Sequence, residues 1–307
     1  VAYALGSSNF LKKDDEIIIG YLEHHSNIVP WQMLCERTGA KLKVIPMDEN
    51  GILQLDFLDK NLSEKTKIVS VNHVSNALGI INPIEEIIAK VRKNSSALMM
   101  IDGAQSAAHI PIDVQDLDAD FYTFSGHKIY GPTGIGVLYG KTQYLELLRP
   151  LLGGGEMIKT VSFSASSWND LPYRLEAGTP NMAGAIGLGA AILWLQQQDL
   201  KAWQQHKTAL VQRFYDGCRQ IPALELLSGP TTNAGIVALN LKNEHPADLA
   251  TLLDQQKIAV RAGTHCAMPL YAALQQPGAV RLSLAPYNNI AEVDAAIAAM
   301  AQAVELF

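Results

Sequence analysis

Apolar residues fall into short runs broken by glycine, proline and charge, and the spacing within the runs changes along the chain. Asp15-Glu16-Ile17-Ile18-Ile19-Gly20 is a β-branched run bounded by acid and glycine, which predicts a buried strand. Residues 28–38 then read as a helix capped by Asn27 and closed by Gly39, and residues 42–45 as the next strand. The alternation continues with a strand over 67–71, a helix opened by Pro83 and running to about Lys93, a strand ending at Ile101, one over 121–124, and one over 135–139. Residues 1–5 read as the end of a helix. Strands alternating with helices of this length predict a mostly parallel sheet with helices on both faces.

The second half reads differently. Gly153-Gly154-Gly155 opens a polar stretch, expected to be irregular to about Arg174, and helices are predicted over 181–198 and 203–219. Short strands over 224–227, 236–241, 259–260 and 280–284, with a helix over 247–256, suggest a smaller α+β unit. Val293, Ile297, Met300 and Val304 form the core stripe of a last helix. The predicted division is residues 1–198 and 199–307, in keeping with about 150 residues per domain.

Composition narrows the function classes. A hydrophobic content of 48% with 18% charged residues belongs to a folded globular protein. The net charge of −6, with no basic stretch to offset it, argues against a nucleic-acid or anionic-membrane surface and leaves a small substrate. Cys35, Cys218 and Cys266 show neither CxxC spacing nor an even-numbered framework, so no metal site and no secreted disulfide scaffold is expected, and the cytoplasm is the expected compartment. No apolar run reaches the ~18 residues of a membrane span.

Chemistry concentrates at Thr123-Phe124-Ser125-Gly126-His127-Lys128. A lysine on a turn at a strand end, with its pKa lowered by burial or cationic neighbours, can hold pyridoxal phosphate (PLP) as a Schiff base. Asp102, closing the apolar run 97–101, is placed to meet the cofactor's pyridine nitrogen. Taken alone, Ser-Gly-His-Lys is a polar turn; Asp102 and Gln105 upstream favour the cofactor reading.

Six motifs extend it. They are Glu23-His24-His25-Ser26-Asn27, His73-Val74-Ser75-Asn76, Asp102-Gly103-Ala104-Gln105, Ser125-Gly126-His127-Lys128, Glu176-Ala177-Gly178-Thr179-Pro180-Asn181 and Arg261-Ala262-Gly263-Thr264-His265-Cys266-Ala267. In this order the chain resembles the PLP-dependent cysteine desulfurases, in the branch that includes cysteine sulfinate desulfinase and selenocysteine lyase. The resemblance implies a fold type I α/β transferase with a smaller C-terminal α+β domain. It implies His24 as the ring-stacking and proton-moving histidine, Lys128 as the cofactor amine and Cys266 as the nucleophile. Asp102, Gln105, Ser125, His127 and Thr179 would hold PLP, with Thr179 reaching the phosphate of a neighbouring subunit in a homodimer. Gly178-Thr179 can equally serve the start of the helix that follows.

Arg281 with Asn76, and Arg261 nearby, would take the substrate's carboxylate, although an arginine in that strand also suits a surface ion pair. The expected substrate is L-cysteine, converted to alanine while its sulfur passes to Cys266 and on to an acceptor protein, as in iron–sulfur cluster assembly. Selenocysteine and cysteine sulfinate are alternatives, as are an aminotransferase without need of Cys266 and a non-catalytic binding subunit. His265 and Arg261 are expected to supply positive potential to Cys266, while Cys35 and Cys218 read as inert, buried thiols. Relatives carry a further N-terminal segment with a Gly-Thr-Thr phosphate-binding turn, so a shortened N-terminus, reduced cofactor affinity and an exposed apolar surface are expected.

Overall fold

The computed structural model describes residues 1–307. Its first part runs α1 (Ala2–Ser7), β1 (Glu16–Gly20), α2 (Val29–Thr38), β2 (Lys41–Ile45), α3 (Asp56–Asn61), β3 (Thr66–Asn72), α4 (Ile84–Asn94), β4 (Leu98–Asp102), β5 (Phe121–Ser125), β6 (Gly136–Gly140) and α5 (Thr142–Leu145). Six strands form one sheet in the order β2-β1-β3-β4-β5-β6. The first five are parallel and β6 runs antiparallel at the edge.

Successive strand residues point to opposite faces, and here both faces are apolar, because helices cover each. Ile18, Val69, Val71, Met99 and Ile101 meet Ile84, Ile87, Ile88 and Val91 of α4 on one side. Ile17, Ile19, Ile68, Leu98 and Met100 meet Leu5 of α1 and Trp31 and Leu34 of α2 on the other. Because β1 is followed by β2 on one side and β3 on the other, a crevice opens at the carboxyl ends of the strands, where open α/β sheets bind ligands.

The chain continues through β7 (Ile158–Val161), β8 (Ser166–Trp168), α6 (Met182–Gln196) and α7 (Leu200–Cys218). The stretch expected to be irregular holds an antiparallel hairpin, β7 with β8. The second sheet follows as β9 (Leu224–Leu226), β10 (Ile236–Leu241), α8 (Pro246–Gln255), β11 (Arg261–Gly263), α9 (Met268–Ala273), β12 (Ala279–Ser283) and α10 (Ile290–Val304), with strand order β11-β12-β10-β9, all antiparallel. The strand expected over 259–260 lies over 261–263 instead, because Gly263, Ala262 and Arg261 pair with β12 from Ala279 onward.

α7, α8 and α10 cover this sheet with their own core, Phe214, Tyr215, Leu249, Leu253, Val293 and Met300 among it. α10 starts with Asn289 accepting from the Glu292 amide while Glu292 reaches back, a capping box that contributes about 1 kcal/mol. Asn27 does not cap α2, whose N-cap position is Ile28 with no side-chain bond. Its amide is drawn inward, donating to Glu23 Oε2 at 2.6 Å and accepting from Trp31 Nε1 and Ser70 Oγ at 2.9 and 2.6 Å.

Candidate active site

The carboxyl ends of β1, β3, β4 and β5 surround a cavity of about 360 Å³, lined by His24, Asn76, Asp102, Gln105, Ser125, His127 and Lys128 together with Ser26, Asn27 and Asn72. Seven of the residues singled out from the sequence therefore meet in one place. Lys128 stands on a single 3-10 turn, Gly126–Ile129, directly after β5. Burial lowers its pKa from the usual lysine range; Arg281 pushes the same way, and the Asp102 carboxylate opposes both. A partly buried amine biased toward its neutral form is what carbonyl chemistry needs.

Asp102 ends β4 and accepts the Ala104 amide through Oδ1 at 2.9 Å, which starts the turn to Gln105. The glycine between them is required by space. A Cβ on Gly103 would lie 2.0 Å from the Tyr122 ring, and that ring is buried with its hydroxyl 2.6 Å from Ser106 Oγ.

His24 lies where β1 leaves the sheet. Its Nδ1 accepts the Ser26 amide at 3.1 Å and lies 2.8 Å from Ser26 Oγ. Two contacts on Nδ1 put the proton of the neutral ring on Nε2. Burial, reinforced by Lys128, lowers the pKa of this imidazole.

Beside the cavity, β12 carries Arg281, whose Nη1 donates to the Asn76 carbonyl at 2.7 Å. Its Nε is buried without a partner, as is Asn76 Oδ1. Burial and the Arg261 charge lower the Arg281 pKa. Arg261 faces Arg281 across the strand pair and is exposed, away from the cavity lining.

Cys266 is exposed at the loop between β11 and α9, and its charge bears on Lys128. Cys218 is buried, its thiol pushed up to about 12 by burial, whereas Cys35 is only half-buried.

His265 does not supply a positive charge to Cys266: burial, with Arg281 and Arg261 adding, lowers its pKa to about 4, and the neutral ring donates from Nε2 to the Ala279 carbonyl at 3.0 Å. Asn76 Nδ2 donates one of its two hydrogens to the His265 carbonyl at 2.7 Å, a geometry that fixes which end of the amide carries hydrogen. Thr179 is exposed in the loop before α6, outside the lining of this chain's own cavity.

Glu23 and Asn72 had no role in the sequence reading, and Asn27 only that of a helix cap. Glu23 is fully buried, accepting from Asn27 and from the Asn72 amide at 3.0 Å. Burial pushes its carboxyl up to about 8 even though these bonds pull the other way. The i, i+4 spacing of Glu23 and Asn27 was the available signal.

The donor set fits PLP. Lys128 offers a poised amine, Asp102 a carboxylate, Ser125, His127 and Gln105 polar groups for phosphate and phenolic oxygens, and the orphaned Arg281 Nε an unmet demand for an anion. The class-V aminotransferase family description matches residues 1–296. A probable cysteine desulfurase from Halalkalibacterium halodurans is 46% identical over 307 residues, covering all of this chain and 75% of that protein. A cysteine desulfurase from Escherichia coli O157:H7 is 48% identical over 295 residues, 96% of this chain and 72% of its own. The crystal structure of the Escherichia coli cysteine desulfurase CsdA superposes with a TM-score of 0.94 at 39% identity, covering all of this chain and 77% of that one. With this site at the strand ends and these relatives along its whole length, the chain belongs to the class-V aminotransferase family and falls among its cysteine desulfurases.

Proposed function

We propose that the protein is a PLP-dependent cysteine desulfurase that converts L-cysteine to L-alanine and receives the sulfur on Cys266. The observation that carries this is the meeting of a poised amine (Lys128) and a carboxylate (Asp102) in one cavity, with an exposed thiol (Cys266) outside its lining but near enough to act on that amine. PLP, held by Lys128, Asp102, Gln105, Ser125 and His127, supplies the electron sink that labilises bonds at the substrate's α-carbon.

Arg281 takes the substrate carboxylate with the edge of its guanidinium that includes the unpartnered Nε. His24, its tautomer fixed by Ser26, presents Nε2 to the cavity as the group that moves a proton. The Cys266 thiolate attacks the substrate's sulfur. The bond between that sulfur and the β-carbon breaks, the electron pair stays with carbon, which takes up a proton to complete alanine, and Cys266 keeps a persulfide. One cysteine and one enzyme thiol thus become one alanine and one enzyme persulfide.

A persulfide at an exposed loop suits hand-over to an acceptor protein, as iron–sulfur cluster assembly requires, and the cytoplasm is the compartment we assign. We assign a homodimer as well. α6 exposes Met182, Ile186 and Leu193, apolar side chains that a second copy would cover. Thr179 at the start of α6 would then serve the partner's phosphate site.

Cys266→Ala is the test. With PLP and borohydride, a pyridoxyl adduct should form on Lys128 in both proteins, while the persulfide should disappear in the variant. Alanine release from cysteine at the wild-type rate in Cys266→Ala would overturn the assignment. In that case activity on cysteine sulfinate or selenocysteine, neither of which strictly needs the thiolate, would identify the related reaction.

A further inference from the structure

Two successive side-chain-bearing residues, His265 and Cys266, stand in the left-handed region at φ 49° and 56°. Each such residue costs about 1–2 kcal/mol, and the conformation persists only where its surroundings fix it. Four hydrogen bonds do so. Two involve His265: its carbonyl accepts from Asn76 Nδ2 at 2.7 Å, and its ring donates to the Ala279 carbonyl at 3.0 Å. The other two involve His25, which holds the chain as it leaves the cysteine. The His25 main-chain amide donates to the Cys266 carbonyl at 2.7 Å, and His25 Nε2 accepts the Met268 amide at 3.0 Å.

His25 adjoins His24, whose ring lines the cavity, so the loop that carries the thiol is joined directly to the segment that covers the cofactor site. We propose that His25 is a positioning residue for Cys266, holding the nucleophile's loop at the Cys266 carbonyl and the Met268 amide. This rests on the desulfurase reading above.

The side chain's share is the bond to Met268. Accepting through Nε2 requires the ring proton on Nδ1. Without the ring, the Met268 amide loses its partner, and only the main-chain bond ties residue 25 to the loop. The residues assigned to hold PLP, Lys128, Asp102, Gln105, Ser125 and His127, lie on β4, β5 and the turns that follow them. Removing the ring should therefore separate two properties that a general loss of structure would lower together, cofactor loading and sulfur transfer.

The experiment uses the full chain loaded with PLP and compares His25→Ala, His25→Asn and His25→Gln. Gln can place an acceptor oxygen near the position of Nε2, whereas Asn is polar but too short to reach. Hydrogen exchange of the 264–270 segment should rise about tenfold or more in the Ala and Asn variants and return toward wild type with Gln. Persulfide formation on Cys266 from L-cysteine, read by intact mass, should fall by at least about tenfold in the first two and recover in the third, since small misplacements of reacting groups carry costs of that order. The pyridoxyl adduct on Lys128 should be the same in all four proteins.

Unchanged exchange in His25→Ala and His25→Asn would overturn the proposal. So would a Gln variant as impaired as Ala, wild-type persulfide rates despite raised exchange, or parallel loss of the Lys128 adduct. The exchange measurement needs no turnover, so a wild-type chain that failed to desulfurate cysteine would count against the proposed function while the clamp was still tested.

Discussion

Arg281→Lys keeps a positive charge in β12 and removes the planar fork. The native guanidinium is held at one end, with Nη1 on the Asn76 carbonyl, while Nε is buried and unpartnered. Leaving a buried donor without an acceptor costs about 1–3 kcal/mol, a cost relieved if the acceptor arrives with the substrate. A carboxylate on the edge formed by Nε and Nη2 receives two parallel charge-assisted bonds, whereas a lysine ammonium in its place offers a single point contact. Loss of one charge-assisted bond corresponds to roughly 1.5–3 kcal/mol, or about 10- to 150-fold in kcat/KM. The effect should fall mainly on KM, because the carboxylate is bound alike in ground and transition states. Burial and Arg261, which depress even the guanidinium, would depress a lysine there too, so the deficit should widen from pH 7 to pH 9. Alanine formation from L-cysteine by PLP-loaded protein gives the rate constants, with the Lys128 adduct as control for loading. A kcat/KM within twofold of wild type, or loss of the adduct in step with activity, would refute the assignment of Arg281 to the substrate carboxylate.

Gly103→Ala should lower stability by about 1–3 kcal/mol through overpacking against Tyr122, and should lower PLP content because the displaced turn carries Asp102 and Gln105. Urea melts and cofactor absorbance check both; unchanged absorbance would show that the turn tolerates the methyl. Lys207, 2% exposed on α7, sits 3.0 Å from His109 Nδ1, and burial brings its amine down to about 8. An unfolded lysine holds its proton to about pH 10.4, so the unfolded state binds more protons between pH 8 and that value and stability should rise across this window. The cost of the buried charge stands in full below pH 8. Lys207→Met should flatten that rise and add on the order of 3 kcal/mol at pH 7; an unaltered slope in melts from pH 7 to 10 would sink the idea.

The parts of the fold that were legible are those where local pattern and tertiary role agree. The apolar runs of β1 and β4 are buried on both faces and bounded by charge or glycine, and α4 carries its buried residues on one stripe. β7 and β8 gave no signal because nearly every residue in them is exposed, and β11 exists only through its pairing with β12. Asn27 has the residue type and place of a helix cap, but Glu23, Ser70 and Trp31 compete for its amide and win. Lys128 and Asp102 were legible as residue types at strand ends, whereas His24, Asn76, Gln105, Ser125 and His127 were assigned through the family resemblance; all seven line one cavity. Charge states were not legible. His265 reads as a cation in sequence, and only the burial around it makes it neutral.

The amine and the thiol of this site come from different sheets, Lys128 from the end of β5 and Cys266 from the loop after β11. Their spacing therefore depends on what joins the two halves. The segment 73–82 is buried throughout or nearly so and is bonded on both sides. Its Gly79 carbonyl accepts from the Ala234 amide, its Ile81 amide donates to the Thr232 carbonyl, and its Leu78 carbonyl accepts from Ser228 Oγ and Asn233 Nδ2. Gly79, at φ 75°, approaches so closely that a Cβ would lie 2.4 Å from the Ile236 carbonyl. Asn76 extends the same seam to His265 and Arg281. Buried polar bonds of this kind are costly to leave unmade, so opening the seam as a hinge would expose several at once. The spacing of Lys128 and Cys266 is therefore set by this seam, and the freedom left to the exposed thiol is that of its own side chain, carried on the positive-φ backbone of His265 and Cys266.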